Sequence, residues 1–253
     1  MFPLLFLVGS TVAQTTTQED LLQPTVFESD DASKLLDITL TFEYADHVTP
    51  HHTFRNTRLF NGTLPGPTLK VKPGDKMKIL FKNELTDQGG VHFENEYGIP
   101  DTANLHFHGA HVSGELPSDD VTYKVEPQRE YQYETDFPDV HMPGTHWIHP
   151  HVHGSSLLQV GGGAAMALIV EDEDGTLPQV VHDAEDVLLL VQHMSINTLN
   201  NVIGQSGDGM LQIQNNGRGV DNDYRLVNGQ LEPTIRMQPG EWQRWVSELN
   251  LIF

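Results

Sequence analysis

The stretch from Leu36 to Tyr44 reads LDITLTFEY, in which apolar side chains alternate with mostly polar ones. A period of two places every second side chain on one face of an extended chain, so this stretch predicts a strand with one buried face. Similar alternations recur at residues 77–81 and 131–137, and Asn-Gly and Pro-Gly pairs that favour tight turns lie between them. Many short strands with regular turns and no amphipathic helix predict an all-β fold, either a sandwich or a barrel.

An internal repeat indicates two copies of one β unit. Residues 61–75 read NGTLPGPTLKVKPGD, and residues 228–241 read NGQLEPTIRMQPGE, which is the same pattern with one residue deleted. After its Pro-Gly pair the first copy continues through further strands to residue 170, whereas residues 242–253 are all that follow the second copy. We therefore expect the second unit to be cut short, with a strand edge and an apolar face left uncovered.

Composition and repeat together predict five segments along the chain. Residues 1–13 form an apolar run that ends in small residues, typical of a short secretory signal, and the polar residues 14–34 are expected to be a flexible leader. The first domain is predicted at 35–172, the linker at 173–185 and the truncated second domain at 186–253. From this signal we expect a secreted or extracellular protein, and no later stretch is long and apolar enough to span a bilayer. A wrongly assigned start is the alternative, because no basic residue precedes the run.

Charge and cysteine count exclude several function classes. The chain carries 35 acidic and 14 basic residues, and its formal net charge of −21 repels nucleic acid and anionic lipid. It has no cysteine, so disulfides, cysteine nucleophiles and metal sites that need a thiolate from this chain are excluded. Half of its 14 histidines are at positions 106 and 108 or between positions 141 and 153. This clustering is the first indication of function.

Two pairs of histidines have the spacing of a metal clamp: His106 with His108, and His149 with His151. On a strand, residues i and i+2 point the same way, so each pair presents two imidazoles on one face. An all-histidine set with no thiolate or adjacent carboxylate suits copper or zinc, and the spacing does not choose between them. One such pair arises readily by chance in a histidine-rich chain, whereas two pairs in one domain are a stronger signal.

The remaining residues near the clamps have ordinary explanations. We expect His111 and His153 to support the ligands or to face solvent, and Trp147 to pack in the core. Surface or turn positions are expected for the other histidines, namely His47, His51, His52, His92, His182 and His193.

The motifs around the clamps resemble those of the multicopper oxidases, the family of laccase, bilirubin oxidase and cuprous oxidase. FNGTLPGPT at residues 60–68 is similar to the family's opening strand and turn, HFHG at 106–109 to its first ligand motif, and GTHWIHPH at 144–151 to its second. The resemblance covers most of residues 36–245 and implies cupredoxin domains, which are Greek-key β-sandwiches. We therefore expect one complete cupredoxin-like domain followed by an incomplete second one.

The resemblance also implies a role for each paired histidine. His106 corresponds to the family's type 2 copper ligand, and the ligands of its type 3 copper pair correspond to His108, His149 and His151. In the family this trinuclear cluster reduces O2 to water while a phenolic, other organic or metal-ion reductant is oxidised. Asp119 lies where relatives place an acid that delivers protons to the cluster, and Asp120 is the alternative.

The chain departs from the family pattern because it lacks the motif that binds the type 1 copper, through which electrons enter. In the family the other cluster ligands and the type 1 copper site come from a C-terminal domain that carries an H-C-H motif, which a chain without cysteine cannot contain. We therefore expect a truncated gene model, inactive as an oxidase by itself, with O2 and a small reducing substrate as partners once a C-terminal domain completes the cluster. Translating the nucleotide sequence beyond the codon for Phe253 is expected to uncover the motif.

Two rival hypotheses use the same histidines. A non-catalytic copper-binding cupredoxin protein would hold the metal without oxidising a substrate. A zinc hydrolase is the third class, although such enzymes usually need a ligand carboxylate and often have α/β architecture.

Overall fold

The computed structural model describes residues 19–86, 99–173, 175–196, 199, 212–215 and 223–250, with only the backbone described for 212–215 and 248–250. The elements are β1 (Val26–Glu28), β2 (Leu35–Val48), β3 (His52–Phe60), β4 (Thr68–Val71), β5 (Lys76–Asn83), β6 (His106–His108), β7 (Arg129–Asp136), β8 (Gly144–His149), α1 (Ser156–Gly161), β9 (Met166–Val170), α2 (Gln179–His182), β10 (Glu185–Ser195), β11 (Gln212–Asn215), β12 (Asp223–Val227) and β13 (Gln243–Asn250). Strands dominate, so the all-β prediction is confirmed.

Two five-stranded sheets form a sandwich. One sheet has the strand order β1-β4-β9-β8-β6 and the other has the order β11-β3-β2-β5-β7. Their facing side chains make one apolar core, which includes Phe42 and Phe81 from the second sheet and Phe107, Ile148 and Leu168 from the first. Each of these side chains is at most 1% exposed, so the sandwich is stabilised mainly by apolar burial between the sheets.

The alternation that predicts the strands also predicts which of their faces are buried. In β2, Leu36, Leu40 and Phe42 are buried, and in β5 every second residue from Met77 to Phe81 is buried. β2 and β5 pair in parallel from Leu35 opposite Lys76 to Phe42 opposite Asn83, which aligns their apolar sets on the same face. The predicted strands at these positions are confirmed.

The internal repeat corresponds to a repeated three-strand arrangement. β2 pairs antiparallel with β3 and parallel with β5, and β10 pairs in the same two ways with β12 and β13. The Asn-Gly turn follows β3 in the first copy and β12 in the second, with positive φ at Asn61, Gly62, Asn228 and Gly229. The Asn61 side chain accepts the Thr41 N–H and that of Asn228 accepts the Leu190 N–H, each at 2.8 Å. The sequence repeat therefore encodes one β unit twice.

Gly229 lies where the turn of the second copy contacts the turn of the first. Its φ is +76°, and a Cβ at this position would overlap the Leu64 carbonyl oxygen and press on the His47 ring. Gly229→Ala is therefore expected to lower the free energy of unfolding by about 1–2 kcal/mol through left-handed backbone strain and by a further ~1–3 kcal/mol through overpacking. Chemical denaturation measures the loss.

The control variant is Gly240→Ala. Gly240 has a φ of +86° but no heavy atom within 4 Å of an added Cβ, so only the backbone strain applies. Equal losses in the two variants would contradict the close contact between the turns.

The second unit packs on the first. The inner face of its three-stranded sheet, order β12-β10-β13, buries Met194, Tyr224 and Leu226 against Phe54 and Leu158 of the first unit. The apolar face expected to be uncovered is thus covered on this side, whereas Trp242 and Trp245 are exposed. β11, inside the predicted second domain, pairs with β3 and extends the first sandwich. Because a strand of the predicted second domain belongs to a sheet of the first, the domain boundaries 35–172 and 186–253 stay a prediction.

The described part of the expected leader, residues 19–34, pairs with both units. β1 pairs in parallel with β4, and Asp20 bridges Thr234. The Gln23 side chain accepts the Leu188 N–H at 3.0 Å. This segment differs from the expected flexible leader because its backbone adds the edge strand β1 to one sheet and a bridge to the second unit, which no local polarity pattern reveals. The predicted signal at 1–13 lies outside the described residues, and within those described no helix is long and apolar enough to cross a membrane.

Candidate metal centre

A strand pair, β6 and β8, carries three of the four predicted ligands. Its antiparallel register places His106 opposite His149 and Phe107 opposite Ile148. Phe107 and Ile148 are buried in the sandwich core. Because side chains alternate between the two faces of a sheet, the histidines beside them point to the outer face. The sequence thus builds the site by giving each strand one apolar residue for the core and histidines for the opposite side.

Three imidazoles converge on this face. One possible ligand atom from each of His106, His108 and His149 lies within 4.8 Å of the other two. The ring centroids of His106 and His149 are 5.3 Å apart, and those of His108 and His149 are 5.5 Å apart. The Nδ1 atom of His108 and the Nε2 atom of His149 face each other at 3.2 Å. The expected placement of His106 and His108 on one face of a strand is confirmed.

His151 reaches the cluster by a different route. β8 ends at His149, so His151 lies beyond the strand and the strand geometry expected for the second pair is wrong. The ladder stops here because Pro150 has no N–H to donate. The His151 ring centroid is nevertheless 5.0 Å from that of His106 and 5.6 Å from that of His149. All four predicted ligands therefore lie together.

Asp119 orients the His106 ring. Both of its carboxylate oxygens are 3.0 Å from His106 Nδ1, and Oδ1 also accepts the Phe107 N–H at 3.1 Å. Because a carboxylate accepts, Nδ1 carries the proton and Nε2 is left with the lone pair that a metal needs. Asp120 instead accepts the N–H and the hydroxyl of Thr122 at the surface. Of the two acids considered from the sequence, Asp119 is the one bonded to a predicted ligand.

His149 presents a neutral imidazole. Its Nδ1–H donates to the Pro150 carbonyl oxygen at 3.0 Å, which leaves the Nε2 lone pair directed at His108. Burial lowers the pKa of His149 to about 3, against the opposing effect of the bond to Pro150. Burial, and then the neighbouring His106 and His151, also lower the pKa of His108. Neutral imidazoles keep the lone pairs that copper and zinc require.

Trp147 belongs to the outer face of the sheet. Its ring stacks on that of His149 with a centroid separation of 3.9 Å, and on that of His108 at 5.0 Å. The expectation that it packs in the core is wrong, because Trp147 precedes His149 by two residues and so points the same way. The indole restricts the rotation of both imidazoles.

A second histidine group lies beside the cluster. His146 is an odd number of residues from His149 and so points to the other face of β8, where its ring is 5.4 Å from that of His141. His141 is buried, and its Nε2 accepts the His111 N–H at 2.9 Å. Because His141 Nδ1–H donates to the Met142 carbonyl oxygen, both ring nitrogens of His141 are occupied by structural hydrogen bonds.

The outlying histidines differ from one another in burial. His153 and His182 are exposed, and His51 and His193 are half-buried. His52 is buried, with its ring centroid 5.0 Å from that of Tyr224, so the surface or turn position expected for it is wrong. The cause is that the second unit covers β3, which the local sequence does not reveal. His92 lies outside the described residues.

Comparison with known proteins gives a family from the sequence and a fold from the structure. The family model described as multicopper oxidase matches residues 42–175. The multicopper oxidase mco of Staphylococcus aureus is 26% identical over 199 residues, covering 74% of this chain and 36% of that protein. The cell division protein FtsP of Aggregatibacter aphrophilus is 28% identical over 184 residues, covering 72% of this chain and 33% of that protein. The chain thus spans about a third of the length of these relatives.

Solved structures confirm the cupredoxin-like fold. The crystal structure of laccase from Pediococcus acidilactici superposes with a TM-score of 0.62 at 21% identity, covering 86% of this chain and 43% of that one. A metallo-oxidase from Campylobacter jejuni gives a TM-score of 0.55 at 22% identity, covering 86% of this chain and 41% of that one. Since the family model matches more than half of the 253 residues, the chain belongs to the multicopper oxidase family.

Proposed function

We propose that this chain holds copper with His106, His108, His149 and His151, and thereby supplies half of the type 2/type 3 cluster of a multicopper oxidase. The observation that carries the proposal is the β6–β8 register, which brings ligand atoms of three histidines within 4.8 Å of one another. The described donors are all imidazoles, and such a set suits copper or zinc. Membership of the multicopper oxidase family favours copper.

The residues present fit such a metal. The bond to Asp119 puts the proton of His106 on Nδ1, and the bond to the Pro150 carbonyl oxygen puts that of His149 on Nδ1, so Nε2 of each ring is left unprotonated. Copper bound here would supply the chemistry of O2 reduction to water, with electrons from a phenolic, other organic or metal-ion reductant. The chain has no cysteine, so electrons would enter from a site outside it. We assign Asp119 the role of accepting protons and passing them on beside His106. Secretion, predicted from residues 1–13, is also part of this proposal.

The test is a Cu(II) titration of the purified chain, competed against a chromophoric chelator and followed by electron paramagnetic resonance. We expect stoichiometric binding with nitrogen hyperfine structure and no O2 consumption with phenolic reductants by the chain alone. A folded chain that takes up no copper, or that takes up zinc after copper-replete expression, would overturn the proposal.

A non-catalytic copper-binding protein is the second candidate. Two observations favour it: the chain has no cysteine, and one relative is named as a cell division protein and not as an oxidase. The full-length transcript separates the candidates. An in-frame H-C-H motif supports the oxidase, and a complete transcript without one supports the binding protein.

Asp119→Asn is expected to weaken copper affinity by about 10- to 100-fold, the usual effect of removing a residue that orients a metal ligand. A neutral amide replaces the charged acceptor on His106 Nδ1–H, so the ring loses its charge-assisted bond. The competition titration measures the change. Asp120→Asn is the control, because Asp120 bonds to Thr122 at the surface. Equal affinities in the two variants would contradict the orienting role.

A further inference from the structure

Something other than the sheet ladder must hold His151 at the cluster. β8 ends two residues earlier, and Pro150 interrupts the ladder. The His151 ring is exposed, but its centroid is 5.0 Å from that of His106. An exposed side chain beyond the end of a strand keeps such a position when hydrogen bonds hold its backbone in place.

The side chain of Asn104, two residues before His106, anchors the backbone of His151. Asn104 Oδ1 accepts the His151 N–H at 2.7 Å. Its Nδ2 donates to the carbonyl oxygens of Val121 at 3.0 Å and Tyr123 at 3.1 Å. Asn104 is 0% exposed, so water cannot replace these bonds.

These three bonds join the three chain segments that form the centre. Asn104 itself leads into β6 and His106. Val121 and Tyr123 lie two and four residues after Asp119, and His151 is the predicted ligand beyond β8. No other side-chain type could make this set of bonds equally well, because the site needs one acceptor and two donors on a short planar group. An aspartate would face two carbonyl oxygens with a buried charge, and a leucine would leave the His151 N–H without its acceptor.

We propose that Asn104 is a positioning residue for the metal centre, which places His151 beside His106 by holding the His151 backbone. The inference rests on the proposed copper-binding function, and deepens it by assigning a residue that does not touch the metal. Removing Asn104 should then have the same effect on copper binding as removing His151.

The experiment compares Asn104→Ala with His151→Ala and with the double variant. We expect each single variant to lose copper affinity, by about 10- to 100-fold for Asn104→Ala. We expect the double variant to bind no more weakly than His151→Ala, because both changes remove one interaction. The Cu(II) spectrum of Asn104→Ala should match that of His151→Ala. Additive losses, or an Asn104→Ala spectrum identical to that of the wild type, would overturn the inference.

Asn83→Ala is the matched control. Asn83 is 1% exposed, and its Nδ2 likewise donates to two carbonyl oxygens, those of Asp101 at 2.7 Å and Val125 at 2.8 Å. Its Oδ1 accepts the Leu85 N–H at 3.2 Å. The variant therefore loses an equivalent buried amide without a bond to a predicted ligand, and we expect wild-type copper affinity. If Asn83→Ala weakens copper binding as much as Asn104→Ala does, the effect of Asn104 is only structural and the inference fails.

A metal-free measurement on the wild-type chain decides the matter if Asn104→Ala does not fold. The amide proton of His151 lies outside any strand, yet the bond to Asn104 should slow its exchange with deuterium by at least about 100-fold relative to an unstructured amide. Fast exchange in a folded chain would overturn the inference. Slow exchange in a chain that binds no copper would support the positioning of His151 while the proposed function itself fails.

Discussion

Replacing His149 with alanine is expected to weaken copper affinity by more than about 100-fold, beyond the usual effect of changing a residue that only orients a ligand. The His149 ring neighbours all three of the other predicted ligands, with its centroid 5.3 Å from that of His106, 5.5 Å from that of His108 and 5.6 Å from that of His151. It is also the imidazole whose tautomer is set by the Pro150 carbonyl oxygen. Truncation at this position therefore removes a donor that neighbours all three of the other predicted ligands. A competition titration with Cu(II) measures the loss.

His182→Ala is the control for this variant. The His182 side chain is 57% exposed, lies in α2 and bonds to Asp183, so its loss should leave copper affinity unchanged. Denaturation curves of both variants show whether the fold persists. A folded His149→Ala chain with copper affinity within about threefold of the wild type would contradict the proposed ligand set.

Asp101→Asn is expected to cost about 3–5 kcal/mol of unfolding free energy, the effect of leaving one charge of a buried pair without its counter-charge. Arg58 Nε and Nη2 donate to Asp101 Oδ1 at 2.9 and 2.8 Å, and both side chains are 2% exposed. Tyr44 also donates its hydroxyl to Asp101 Oδ1 at 2.6 Å, and its ring lies under the guanidinium. The asparagine keeps the shape of the site but removes the negative charge. Chemical denaturation measures the change.

The exposed pair of Arg55 and Asp46 supplies the matched control. Their nitrogen and oxygen are 3.1 Å apart, but the side chains are 46% and 44% exposed, so Asp46→Asn should cost less than about 1 kcal/mol. Equal losses for the two variants would show that burial of the Arg58–Asp101 pair does not determine its contribution.

This buried pair also bears on the metal centre. Asp101 is three residues before Asn104, in the segment that leads into β6. The carbonyl oxygens of Pro100 and Thr102 on either side accept the buried amide of Gln159 in α1. The backbone of residues 100–102, which precedes the first ligand strand, is therefore held by buried side chains from other parts of the fold.

The amino-acid sequence by itself determined the strands, the repeated unit and the first histidine pair. All three depend on local rules: alternation gives the buried faces of β2 and β5, Asn-Gly gives the turns at residues 61 and 228, and i, i+2 spacing puts His106 and His108 on one side. The same rule also placed Trp147 beside His149, although the residue type suggested the core.

The tertiary structure decided what depends on distant parts of the chain. It brought Asp119, and not Asp120, to His106 Nδ1, because the loop after β6 folds back towards that ring. It buried His52 under the second unit, and it placed His151 through the side chain of Asn104, 47 residues away along the chain. Such contacts join residues with no fixed sequence spacing, since they form only when packed sheets bring their loops together. A pattern of residue types therefore predicts the ligand set, but its geometry depends on buried hydrogen bonds between segments that the fold alone makes neighbours.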